Sequence, residues 1–193
     1  MLKGAKTLPT IGADFGNRST DNDYYATPPV AVHKLLDREV FNSPIWEPCS
    51  GENHIVNVLK LRGYQKVRAS DIVKRTPDTE VLDFTLAPML AEKWQGDIIT
   101  NPPYNIAEQI IRTALDIIPD GNRAAFLLPV RYLEGQARAK LFEEFPPQKL
   151  YVFSKRITCA INGDFANAGN GALSYAWFIW RKGFKETPAL HWL

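Results

Sequence analysis

At 193 residues, with 45% hydrophobic and 23% charged residues, the chain has the composition of an ordinary globular domain, long enough for one packed core and short for two. Its formal net charge is only +2, and its 2 cysteines and 3 histidines show no metal-ligand spacing, which excludes a disulfide-stapled fold and argues against a His/Cys metal centre. It has no charged-then-apolar leader and no apolar run of bilayer length, so the expected setting is cytoplasmic, with no membrane partner.

Residues 1–22 include Gly4, Gly12, Gly16, Asn17 and Ser19 without apolar periodicity, and read as a flexible arm ahead of one domain over 23–193. Pro28 and Pro29 open a helix over 28–36, with Thr27 as its expected cap and Val30, Val32, Leu35 and Leu36 on its apolar side. Alternation then begins with a strand over 44–47, a Ser50-Gly51 turn and a helix over 55–61 stopped by Gly63. A strand over 66–72, a weaker element over 80–84 and a helix over 89–94 lead to the apolar strand 97–100. An amphipathic helix over 107–118 closes on Pro119-Asp120-Gly121. A strand over 124–128, a helix over 133–145, a strand over 150–153 and an aromatic strand over 175–180 complete the series. This alternation predicts an α/β fold with a mostly parallel, doubly wound sheet. A Gly/Asn-rich loop over 162–171, rather than a helix, joins the last two strands, so an antiparallel pair is expected at one edge. Tyr175, Trp177, Phe178 and Trp180 read as sheet packing.

The chemistry concentrates at strand ends. Asn101-Pro102-Pro103-Tyr104 directly follows the strand Ile98-Ile99-Thr100, the end at which open α/β sheets bind ligands. The two prolines form a stiff corner presenting carbonyl oxygens only. Asn101 adds a side-chain acceptor and Tyr104 a flat ring. Two acceptors beside a stacking face suit a planar group bearing an NH2, whose lone pair is freed for attack when both hydrogens are gripped.

A nucleotide-binding pattern precedes this corner. Glu47-Pro48-Cys49-Ser50-Gly51-Glu52-Asn53 follows the first alternating strand, and Gly51 permits close approach of a cofactor to the backbone. Asp71 ends the next strand, where an acid can bind ribose hydroxyls. Asp83-Phe84 offers an acceptor and an apolar face for adenine. No phosphate-cradling glycine loop ending in Lys-Ser or Lys-Thr is present, nor an intact G-x-G-x-x-G. A cofactor with ribose and adenine but no pyrophosphate fits better, which points to S-adenosylmethionine. The last third, residues 121–193, carries 10 basic and 5 acidic groups, compatible with a polyanionic partner.

On these residues the chain, from Asp23 to Arg181, resembles the S-adenosylmethionine-dependent DNA N6-adenine methyltransferases, and most closely the short phage-type members without a separate target-recognition domain. The resemblance implies a Rossmann-like class I methyltransferase fold, with cofactor contacts from the Tyr-x-Thr-Pro segment (Tyr25, Thr27, Pro28), from Glu47, Pro48, Cys49 and Gly51, and from Asp71, Asp83, Phe84 and Asn101. It implies a catalytic corner of Asn101, Pro102, Pro103 and Tyr104 acting on a flipped adenine, and, for a phage-encoded protein, residence in the host cytoplasm. Arg131, Lys155 and Arg156 are candidates for DNA phosphates, and Phe165 for the target or the gap that it leaves. Asn53 stands where the family usually has a second loop glycine, a position that Asn tolerates at positive φ. Asn-Pro-Pro-Tyr also suits a protein glutamine or an RNA base as the methyl acceptor, and an inactive DNA-binding module is a further alternative.

Overall fold

The computed structural model describes residues 24–90, 93–169, 171 and 173–193, so the expected arm over 1–22 lies outside the described residues. In chain order the first elements are β1 (Tyr25–Ala26), α1 (Pro29–Leu36), β2 (Ile45–Glu47), α2 (His54–Leu61), β3 (Val67–Asp71) and β4 (Glu80–Val81). A 3-10 helix (Phe84–Leu90), β5 (Asp97–Thr100), α3 (Ala107–Ile117), β6 (Arg123–Pro129) and a second 3-10 helix (Val130–Leu133) follow. The chain closes with α4 (Gln136–Glu144), β7 (Lys149–Val152), β8 (Ala160–Ile161), β9 (Tyr175–Arg181) and β10 (Ala189–Trp192).

Eight strands form one sheet in the order β10-β7-β9-β6-β5-β2-β3-β4, and β1 pairs with β8 in a separate ribbon. Every pairing in the large sheet is parallel except those of β9, which runs antiparallel to both β6 and β7. The expected antiparallel pair is therefore present as β7 with β9. The sheet extends one strand further than the sequence pattern indicates, because β10 adds parallel to β7. Alternation along the strands loads both faces: Ile99, Ala125, Leu127, Trp177 and Ile179 meet α1 and α2, while Ile98, Phe126, Leu128, Phe178 and Trp180 meet α3 and α4. The aromatic run of β9 is sheet packing, since Trp177, Phe178 and Trp180 are fully buried.

Several local expectations change. Thr27 does not cap α1; the cap position is Pro28, in an extended conformation and without a side-chain hydrogen bond. The element over 80–84 divides, because the Asp83 carboxylate accepts the Thr85 N–H at 3.0 Å and starts a 3-10 helix at Phe84. The helix expected over 89–94 is replaced in its described part by the end of that 3-10 helix, whose interior contains Pro88. The helix expected over 133–145 begins only at Gln136, after Gly135 at φ 109.

The amino-terminal edge of the sheet is held by buried charge. Glu39 accepts from Arg123 Nη1 at 2.7 Å, Lys149 Nζ at 2.6 Å and the Tyr151 hydroxyl at 2.5 Å. Asp97, fully buried, accepts the backbone N–H groups of Asn42 at 2.7 Å and Arg123 at 2.8 Å. Next to it a Cβ on Gly96 would lie 1.7 Å from the Pro44 carbonyl oxygen, so only glycine lets the loop before β2 close against β5.

Burial disfavours the ionised Glu39, but the Lys149 and Tyr151 hydrogen bonds and the charges of Lys149 and Arg123 outweigh it and hold the carboxyl below its usual range. Its stabilising contribution is thus fully present above the unfolded-state value of about 4.3 and is lost as pH falls through the lower folded value. Glu39→Gln leaves Lys149 without its counter-charge and Arg123 with only the more distant Asp97 carboxylate, and is expected to cost about 3 kcal/mol at pH 7. In thermal melts the gap between wild type and variant should be wide at pH 7 and narrow toward pH 3.5, and a gap independent of pH would contradict this role.

Candidate active site

Parallel pairing carries the ends of successive strands to one edge of the sheet. Glu47 ends β2, Asp71 ends β3 and Asn101 follows β5, while Arg131 follows β6 and Lys155-Arg156 follow β7. The antiparallel β9 starts at this same edge with Tyr175.

The loop after β2 is tied down by its own residues. Glu47 Oε2 accepts the Val56 N–H in the first turns of α2 at 3.2 Å. Burial, reinforced by the charge of Asp71 and opposed by the Val56 bond, holds the Glu47 carboxyl well above its usual range. Gly51, at φ +51, donates its N–H to Asp71 Oδ2 at 2.8 Å, and a Cβ there would lie 2.7 Å from the Tyr24 ring. Asn53 adopts the left-handed conformation, at φ 66 and ψ 27. Its Nδ2 donates to Thr76 Oγ1 at 2.6 Å and its Oδ1 accepts from Thr79 Oγ1 at 3.4 Å, so the residue that replaces a second glycine latches the loop to the segment after β3.

Pro48 is buried, and Cys49 shows where the acids converge. Burial raises its thiol most, the Asp71 charge adds to this, and Glu47 and Asp83 act in the same direction. Asp71 is 8% exposed; besides Gly51, it accepts from the Val73 N–H at 2.9 Å and Arg75 Nη1 at 3.3 Å. Phe84, expected as an open face for adenine, is 3% exposed and meets Trp46 edge-on at 5.0 Å. The apolar side chain open at this corner is Ile72, 67% exposed immediately after Asp71. Its signal in the sequence is an apolar residue directly after a strand-end acid.

The second half of the site surrounds Asn101. Its Nδ2 donates to the Tyr25 carbonyl oxygen at 2.8 Å, and its Oδ1 accepts the Tyr104 hydroxyl at 3.3 Å. The Tyr25 and Tyr104 rings lie nearly parallel, 25° apart with centroids separated by 6.4 Å, and Tyr175 packs on Tyr104 from 6.3 Å. Burial raises the Tyr104 hydroxyl well above the usual phenol range, so it remains a proton donor. Pro102 is buried, and the Pro103 carbonyl accepts the Ile106 N–H at 3.3 Å to close the corner into the approach to α3. Thr27 and Pro28 are buried at the end of β1. The structure thus brings Tyr25, Asn101 and Tyr104 into direct contact, and joins Gly51 to Asp71 at the same strand-end edge as Glu47 and Cys49.

The candidates for a polyanion are exposed: Arg131 in the 3-10 helix after β6, and Lys155 and Arg156 after β7. Phe165 sits beside the start of α2, where its ring meets His54 at 5.4 Å, and the turn that precedes it approaches Glu52 and Tyr24 at Gly163. Among the described residues no group of His, Cys, Asp or Glu side chains is arranged to hold a metal ion, and no helix is long and apolar enough to cross a membrane.

No family profile and no curated protein sequence matches the chain. Solved structures do. A candidate class I S-adenosylmethionine-dependent methyltransferase from Listeria monocytogenes superposes with a TM-score of 0.58 at 16% identity, over 86% of this chain and 65% of the other. The M protein of the type I restriction enzyme EcoKI gives 0.53 at 15%, over 83% and 44%. A candidate RNA methyltransferase from Pyrococcus horikoshii gives 0.53 at 12%, over 82% and 86%. The chain therefore spans 65% of the Listeria structure's length and less than half of the EcoKI subunit. Its fold is the α/β fold of class I methyltransferases.

Gly51→Ala tests the closest backbone approach in the loop, since it forces a side chain into positive φ and against the Tyr24 ring. It should destabilise the protein by about 1–3 kcal/mol in thermal or denaturant unfolding. An unchanged midpoint would mean that the loop has a different conformation.

Proposed function

We propose that this chain transfers a methyl group from S-adenosylmethionine to the exocyclic N6 amine of adenine in DNA. The observation that carries this reading is the Asn101 side chain at the carboxyl end of β5, with its NH2 engaged by the Tyr25 carbonyl and its oxygen turned toward Tyr104. An acceptor held in this way beside an aromatic ring and a Pro-Pro corner matches the needs of a planar amine.

The cofactor-side residues fit the group. Asp71 ends β3 as an acceptor for ribose hydroxyls, which would share it with Gly51, Val73 and Arg75, and the exposed Ile72 offers an apolar face to adenine. The carboxylates of Asp71 and Asp83, which both act on Cys49, favour a positively charged ligand on this side. When bound there, S-adenosylmethionine supplies an electrophilic methyl group on a sulfonium centre. Asn101 Oδ1 and the Pro102 carbonyl accept the two hydrogens of the target amine and draw its lone pair out of ring conjugation; the amine takes the place of the weakly held Tyr104 hydroxyl. Tyr104 supports the base by stacking, which requires the adenine to leave the duplex. The residues contribute alignment and preorganised acceptors rather than a strong base, because a nitrogen that has gained the methyl group releases its proton readily.

The resemblance in the Asn-Pro-Pro-Tyr segment, the likeness to a restriction-modification M protein, and exposed Arg131, Lys155 and Arg156 at the same edge support DNA as the polymer. The likeness to a candidate RNA methyltransferase makes RNA the second reading. Labelled cofactor offered with unmethylated DNA, RNA and protein in parallel separates them: label in adenine N6 of DNA is expected, while label only in RNA or in protein glutamine overturns the proposal.

Two further measurements probe the roles. Asn101→Ala should lower methyl transfer by at least about 100-fold, the scale of one lost preorganised hydrogen-bonding group, with cofactor affinity by calorimetry within a fewfold of wild type. Retention of most of the transfer would remove Asn101 from the chemistry. Arg156→Ala and Lys155→Ala should each weaken DNA binding and lower the slope of log affinity against log salt by about 1. Unaltered slopes would direct the polymer elsewhere on the surface.

A further inference from the structure

A carboxamide has two ends, and only one of them accepts. Asn101 can grip an amine hydrogen only if its oxygen, and not its NH2, faces the target. That choice is made by the Tyr25 carbonyl, which has no proton to donate and takes Asn101 Nδ2 at 2.8 Å. Tyr25 in turn belongs to β1, whose sheet partner among the described residues is β8, with Tyr25 opposite Ile161 and Ala26 opposite Ala160. The ribbon is extended by Asn162, which donates its backbone N–H to the Tyr24 carbonyl at 2.8 Å and whose Oδ1 accepts the Tyr24 N–H at 3.2 Å. Asn162 does so at φ 49, in the left-handed region that Asn and Asp enter more readily than other non-glycine residues. The Tyr25 ring also lies nearly parallel to Tyr104, so one short strand touches both side chains of the transfer corner.

We propose that Tyr25 is a positioning residue for methyl transfer, orienting the Asn101 amide through its backbone carbonyl, and that Asn162 is the anchor that holds Tyr25 in place. This rests on the reading of Asn101 as the acceptor for a target amine. Tyr25 and Asn101 are themselves expected cofactor contacts, but the Asn162 anchor acts on them through the orientation of one amide, while Gly51 and Asp71 hold each other on the cofactor side. Loss of the anchor therefore falls on turnover.

Asn162→Gly and Asn162→Asp separate the anchor from simple stability. Glycine accommodates the positive φ but removes the Oδ1 acceptor, whereas aspartate keeps both. Asn162→Gly should lower kcat about 10-fold, within the range that misplacement of a reacting group produces, with cofactor affinity by calorimetry within about twofold of wild type; Asn162→Asp should restore most of kcat. The Asn101 side-chain NH2 signals, identified by their loss in Asn101→Ala, should exchange with solvent faster in Asn162→Gly than in wild type. Unchanged kcat and unchanged exchange in Asn162→Gly, or an Asn162→Asp variant as impaired as Asn162→Gly, overturns the proposal. Wild-type protein that methylates no planar amine overturns the proposed function instead, and the exchange measurement still decides whether the ribbon orients Asn101.

Discussion

The hydrogen bond from Asn101 Nδ2 to the Tyr25 carbonyl decides what the carboxyl edge of the sheet offers a ligand. Without it the side chain would be oriented only by the longer contacts of the Tyr104 hydroxyl with Oδ1, at 3.3 Å, and of Nδ2 with the Cys159 sulfur, at 3.9 Å. The bond also joins two distant parts of the chain. Residues before α1 cross the edge of the sheet, pair with β8, and set the direction of a side chain at the end of β5. Local rigidity comes from the prolines, whereas orientation comes from a strand of two residues.

The architecture was legible where one segment carries its own signal. The apolar cores of β5 (Ile98-Ile99) and β6 (residues 124–128) and the 3.6-residue spacing of α3 identify their elements without reference to partners, and the strand ends then locate Glu47, Asp71 and Asn101. The ribbon β1–β8 was not legible, because two-residue strands have no period and their pairing joins positions well over a hundred residues apart. The same limit applies to Phe84 and Ile72. Both are apolar residues next to an acid, and only the packing of Trp46 decides that Phe84 turns inward while Ile72 stays open. Phe165 carries no local sign that its neighbour is His54.

Opposite ends of the strands divide the work. The amino-terminal edge buries Glu39 and Asp97 against the cations Arg123 and Lys149, and the tightness of that edge is visible in the approach of Gly96 to Pro44. Charges there satisfy one another. At the carboxyl edge, acids gather around Cys49 and basic side chains stand exposed after β6 and β7. Buried charge that is matched internally favours a fixed fold, and the exposed Lys155 and Arg156 leave positive charge toward solvent at the other end of the strands.

Asn53 has a consequence beyond its tolerance of positive φ. A glycine at that position would reach the same backbone geometry but would also visit many others, and a ligand would have to select one conformation from among them. Asn53 bridges the loop to Thr76 and Thr79 through its own side chain, so the conformational entropy of the loop is surrendered when the chain folds and not when a ligand arrives. The departure from a glycine-rich loop thus makes the turn after β2 preorganised for any ligand that it meets.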